Sequence, residues 1–181
     1  MHALTWNRWQ ESAWAKVLAT FVFAVATAVS ARVSVVLPFS PVPLTLQVLV
    51  VVSSGYILGA WGGLLAQGLY LQAILLGAPL AATGLGGPAA FLSPTGGYLI
   101  AFPAAAFVAG WVSRRGHRLQ ALWRVAGGLA AVAVIYAGGM AWLSGFVGGL
   151  GRAWALGVVP FAGVDILKVV IAAATLSLRD R

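Results

Sequence analysis

From Lys16 onward the chain is a succession of long apolar runs parted by short segments rich in proline, glycine or arginine. A helix that crosses the hydrocarbon core of a bilayer needs about 20 mostly apolar residues. The runs predict six spans, near 16–37, 46–60, 62–78, 94–113, 122–143 and 158–178. The apolar residues run on without the two-residue alternation of a barrel strand, so an all-α integral membrane bundle is expected. Composition agrees: 61% of the 181 residues are hydrophobic and 8% charged, too little polar surface for a soluble domain. Six spans with short connections leave no room for a separate catalytic domain.

Only Gly59-Ala60-Trp61-Gly62-Gly63 parts the second and third spans, which predicts a tight hairpin with glycine supplying the turn. Residues 1–15 carry Arg8, Glu11, Trp6, Trp9 and Trp14 and no small-residue cleavage site. They are expected to be an interfacial segment, with the six-helix transmembrane domain at 16–181.

The net charge of +8 reads as a topology signal, not as nucleic-acid binding. With the N-terminus inside, eight of the eleven Lys and Arg residues fall on the cytoplasmic side: Arg8, Lys16, Arg114, Arg115, Arg118, Arg124, Arg179 and Arg181. Arg32 and Arg152 fall outside. Both termini are therefore expected in the cytoplasm, and the connections near 38–45, 79–93 and 144–157 outside.

Polar residues cluster toward that outer side. Asp165 and Lys168, three apart, share one face of the last span. Buried ionisable groups need partners, and two readings are open, a structural ion pair or a pair that meets a ligand. In the first outer connection three prolines stiffen the crossing, and Thr45 and Gln47 follow at alternate positions, either as ligand contacts or with Thr45 as a helix cap. The second outer connection, Gly77 to Gly87, is glycine-rich and uncharged; it suits a cover over a ligand or simple linkage. Arg32 matches a carboxylate or snorkels to the interface. Gln67, Tyr70 and Gln72 supply further polar atoms for a ligand or for helix-to-helix bonds.

Several chemistries are excluded. Neither Lys16 nor Lys168 lies in a glycine-rich phosphate loop, His2 and His117 are isolated, there is no cysteine, and three acidic residues leave almost no acid/base pair. No enzyme activity, cofactor or metal site is expected.

The motifs PVPLTLQ at 41–47, LY at 69–70, the glycines from Gly77 to Gly87, SPTGGY at 93–98 and PFAGVDILK at 160–168 together resemble the BioY family, the biotin-binding S components of energy-coupling factor (ECF) transporters. The resemblance implies the six-helix S-component fold in the cell membrane. It also implies biotin as the transported ligand, and a transmembrane coupling (T) subunit with cytoplasmic ATPase subunits as partners. On the matched positions it implies a binding set of Thr45, Gln47, Tyr70, Thr83, Thr95, Gly96, Gly97, Tyr98, Asp165 and Lys168. The small-residue pattern of the first helix implies partner docking at Ala24 and Ala28. The chain departs from the family in the outer loop, at Ala78 to Thr83, and at Ser93 where glycine is common. Another vitamin, solitary transport without ATPases, self-association, and a ligand-free membrane-assembly role remain as alternatives.

Overall fold

The computed structural model describes residues 13–115 and 119–179. The interfacial reading of Trp6 and Trp9, His117, and the cations Arg8, Arg118 and Arg181 fall outside the described residues. Seven helices and one minimal strand pair make up the described part: α1 (Ala13–Arg32), β1 (Ser34–Val35), β2 (Leu44–Thr45), α2 (Gln47–Leu75), α3 (Pro88–Leu92), α4 (Gly96–Ser113), α5 (Gln120–Val147), α6 (Leu150–Gly157) and α7 (Val159–Arg179). Five of them, α1, α2, α4, α5 and α7, are long and apolar enough to cross a membrane. At 1.5 Å per residue the 20 residues of α1 reach about 30 Å, the thickness of the hydrocarbon core.

α2 contains the expected hairpin. Its helical run is broken at Gly59, with φ 80° and ψ 179°, a conformation that side chains with a Cβ disfavour. The two arms fold back on each other: Gln47 Nε2 donates to Tyr70 Oη at 2.9 Å, and Gln67 Nε2 to Ser54 Oγ at 3.1 Å. In one straight helix residues 47 and 70 would be about 35 Å apart. Close approach to α4 makes the hairpin compact, for a Cβ on Gly55 would stand 2.2 Å from the Ala106 carbonyl oxygen. Gln67 also donates to Thr27 Oγ1 of α1 at 3.2 Å, so this residue serves helix-to-helix bonding, while Gln72 is exposed.

Burial is inverted relative to a soluble protein. Phe21, Val25 and Val29 of α1 and Ile166, Val170 and Ile171 of α7 are exposed, as expected where lipid is the solvent. Small residues fill the interior, among them Ala24 and Ala28 at 7% and 9% exposure. Both alanines pack in the core of this chain, because their lack of bulk lets α1 approach the bundle.

Other boundaries shift. The first span ends at Arg32, five residues early, where the chain turns into β1. Ser34 pairs with Thr45 and Val35 with Leu44 in an antiparallel register. The third outer connection is not a loop over 144–157. α5 continues to Val147, Gly148 ends it in the left-handed conformation (φ 81°), and α6 follows. The short elements β1, β2, α3 and α6 gather at one end of the bundle. Arg114 sits at the other end, where its guanidinium lies against Gly59 of the hairpin turn.

Candidate solute-binding site

At the end that carries the short elements, a partly open cavity of about 60 Å³ lies between β2, α2, α4, α5 and α7. Most of its wall is apolar: Val42, Leu44 and Val48 on one side, Leu99, Phe102, Ile135 and Phe161 on the other.

Polar groups converge on one part of that wall. Asp165 and Lys168, 3% and 5% exposed, project together from the second and third turns of α7, as their spacing requires. Lys168 Nζ donates to Asp165 Oδ1 at 2.6 Å and to the Thr45 carbonyl oxygen at 2.6 Å. The second carboxylate oxygen, Oδ2, accepts from Tyr136 Oη of α5 at 2.7 Å. The ammonium is thus neutralised in place while it ties α7 to the first outer connection. Among the described residues Asp165 is the single carboxylate.

Thr45 and Gln47 both line the cavity. The Thr45 hydroxyl donates to Gln47 Oε1 at 3.3 Å and accepts from the Gln47 backbone N–H at 3.2 Å; the N-cap position of α2 falls to Leu46, which has no side-chain cap bond. The extended geometry holds through Thr45 only, since Gln47 already begins α2. The stiff proline segment is held by Ser40, whose hydroxyl donates to the Leu156 carbonyl of α6 at 2.7 Å.

Thr95 and Tyr98 of the SPTGGY segment also reach the cavity. Tyr98 Oη donates to the Gly157 carbonyl at 3.0 Å, and its ring fits against Gly139, where an added Cβ would stand 2.2 Å from the ring. Gly96 and Gly97 do not line it. They allow close packing, Gly96 on the Phe91 carbonyl and Gly97 on Trp142 and the Gly138 carbonyl.

Two further expectations are relocated. Thr83 is exposed and off the cavity wall; its neighbour Ala82 lines the wall instead. Tyr70, 1% exposed, stands behind the wall. Its hydroxyl accepts from Gln47 and donates to the Leu80 carbonyl at 3.1 Å. Arg32 donates to the adjacent Pro79 carbonyl, so it neither meets a carboxylate nor simply snorkels. Two neighbouring carbonyls of the second outer connection are thereby pinned, one to α1 and one to α2. Gly77 and Gly87 both donate to the Ile74 carbonyl, at 2.9 and 2.7 Å, which pinches the loop shut at its base.

Tyr136 is the site residue that sequence reasoning missed. The available signal is a lone hydroxyl in the apolar run Ala130–Ala137 of α5, and only the packing of α5 on α7 gives it meaning.

Fold and site together define a multi-pass membrane protein with a solute cavity at one end, apolar in the main and furnished with one buried ion pair. The model of the BioY family matches residues 5–181, and the chain belongs to that family. It is 38% identical over 152 residues to the biotin transporter BioY of Thermotoga maritima, covering 84% of this chain and 88% of that one. It is 42% identical over 151 residues to the probable biotin transporter BioY of Pyrococcus horikoshii, covering 83% and 87%. In fold it resembles the crystal structure of the S component for biotin from an ECF-type ABC transporter. That likeness has a TM-score of 0.81 at 24% identity and covers 92% of this chain and 91% of that one.

Proposed function

We propose that this chain is the biotin-binding S component of an ECF transporter, which takes biotin from the outer side of the cell membrane for import with a T subunit and cytoplasmic ATPase subunits. The observation that carries the reading is the single polar wall of the cavity, Asp165 with Lys168 and Tyr136, facing an apolar chamber. Biotin has a polar ureido ring, an apolar thioether and chain, and a carboxylate. It therefore suits a few directed bonds in an apolar cavity. Asp165 accepts from a ureido N–H, Lys168 donates to the ureido oxygen or the carboxylate, and Thr45, Gln47, Thr95 and Tyr98 complete the wall. Family membership and the names of the relatives support biotin over another vitamin.

The membrane arrangement in this proposal has six crossings, counting the arms of α2 separately, and both termini in the cytoplasm. Support comes from charge. Lys16, Arg114, Arg115 and Arg124 lie toward the end away from the cavity, while Arg32 and Arg152 lie at the cavity end, the asymmetry that puts the cavity outside. Because the chain lacks cysteine, single cysteines at Gly84 and at Arg115 test this directly. A membrane-impermeant maleimide applied to whole cells labels the first and not the second; the reverse pattern overturns the orientation.

Uptake of labelled biotin by cells with and without the coupling and ATPase subunits tests the partner assignment. Uptake that needs the full set supports an S component, and equal uptake by the chain alone makes it a solitary transporter.

A further inference from the structure

Away from the cavity, the hairpin turn of α2 and the end of α4 carry exposed aromatic rings and two guanidiniums that solute binding does not use. Phe107 and Trp111 stand one helical turn apart on α4 and so share a face. Trp61, two residues past the turn glycine, meets the Phe107 ring edge to face, with centroids 5.1 Å apart and planes at 76°. Trp61 and Trp111 are 71% and 51% exposed, so the chain itself buries neither ring. The Arg115 guanidinium carbon lies 3.5 Å from the centre of the Trp111 ring, and the Arg114 guanidinium lies against Gly59. The platform beneath them is stiff: an added Cβ on Gly110 of α4 would stand 2.5 Å from the Ala60 nitrogen of the turn.

The charge here is one-sided. Among the described residues the single carboxylate is Asp165, at the other end of the bundle and already bonded to Lys168 and Tyr136. The C-terminus of α4 contributes about half a negative charge, against a full positive charge on each of Arg114 and Arg115. A net positive field beside exposed indole rings calls for a ligand that is anionic at one end and apolar along its body. Guanidiniums pair with phosphate oxygens through parallel N–H donors, and exposed tryptophan rings favour the headgroup level of a bilayer. We propose that this patch binds an anionic phospholipid of the cytoplasmic leaflet, its phosphate on Arg114 and Arg115 and its glycerol and upper acyl chains along Trp111, Phe107 and Trp61. An inorganic anion leaves the rings uncovered, and a choline headgroup brings a cation toward the arginines. The choice of leaflet rests on the orientation proposed above; the site itself does not.

The test uses the full chain in an uncharged detergent, with 5-fluorotryptophan as a ¹⁹F probe and each resonance assigned through a single tryptophan-to-phenylalanine variant. Phosphatidylglycerol shifts the Trp111 and Trp61 resonances saturably, at about a tenth of the mole fraction that phosphatidylcholine requires. The Trp154 resonance, from α6 at the cavity end, responds alike to both lipids. Arg114→Gln/Arg115→Gln brings the preference at Trp111 to within about twofold. Lys16→Gln/Arg152→Gln, which removes the same charge at exposed positions outside the patch, retains it. A wild type with no preference overturns the proposal without reliance on variants, and resonances that then move only on addition of the coupling or ATPase subunits mark a protein interface in its place. An equal loss in the two double variants also overturns it, as attraction by net charge alone, and so does the same saturable shift with inorganic phosphate, as a general anion site.

Discussion

Replacing Lys168 by methionine isolates what the buried pair does for the fold and for the ligand. The substitution keeps most of the side-chain volume and removes the ammonium that bonds Asp165 Oδ1 and the Thr45 carbonyl at 2.6 Å each. Asp165, 3% exposed, keeps only Tyr136. Removing one partner of a buried ion pair destabilises by about 3–5 kcal/mol. Relaxation and water entering from the partly open cavity relieve part of that, and the orphaned Thr45 carbonyl adds about 1–3 kcal/mol. A net loss of about 4 kcal/mol, at about 2–4 °C per kcal/mol for a chain of this length, lowers the thermal midpoint in detergent by about 8–16 °C. The double variant Asp165→Leu/Lys168→Met leaves no buried charge and recovers more than half of the loss, since apolar replacement of a buried pair is often near neutral. Biotin at about a hundred times its dissociation constant stabilises the wild type by about 2.7 kcal/mol and stabilises neither variant. The reasoning fails if Lys168→Met melts within about 2 °C of the wild type, if the double variant is no more stable than the single one, or if biotin still raises the midpoint of either.

Three more outcomes follow from the packing. Tyr70→Phe removes the hydroxyl between Gln47 and the Leu80 carbonyl. It should speed biotin release about fivefold, near the worth of one buried hydrogen bond, as read in a stopped-flow chase; Thr83→Ala, at an exposed position, should leave the rate unchanged. Gly139→Ala drives a Cβ into the Tyr98 ring and should lower stability by about 1–3 kcal/mol and weaken biotin binding, both measured by thermal unfolding with and without ligand. Ala24→Leu overfills the core of the isolated chain and should lower its midpoint with no partner present. A docking surface at that position would instead leave the isolated chain as stable as the wild type.

Legibility tracked how locally each feature is encoded. Apolar run length places the helices, because the backbone in lipid must bond to itself, and Gly59 appears as a turn because Gly62 and Gly63 follow it within four residues. Asp165 and Lys168 are conspicuous for the same reason, as charges inside a span. Tyr136 is not, since one hydroxyl in a helix says nothing until α7 brings a carboxylate to it. The PVPLTLQ and SPTGGY segments mark the right parts of the chain but not the individual contacts. In the second, Thr95 and Tyr98 reach the cavity, whereas Gly96 and Gly97 are consumed by packing. Ala24 and Ala28 show the limit of a small-residue pattern, which signals close approach without saying whether the neighbour belongs to the same chain. Arg32 depends on a carbonyl 47 residues away, a pairing that no local spacing encodes.

The claim at the centre is that the cavity beside Asp165 and Lys168 binds biotin. Isothermal titration of biotin into the purified wild-type chain, run beside Asp165→Asn and Lys168→Ala, addresses it most directly. The account predicts saturable binding at one site per chain in the wild type and loss of that binding in both variants. Absence of heat with biotin, saturation by a different vitamin in its place, or unchanged affinity in both variants would contradict it.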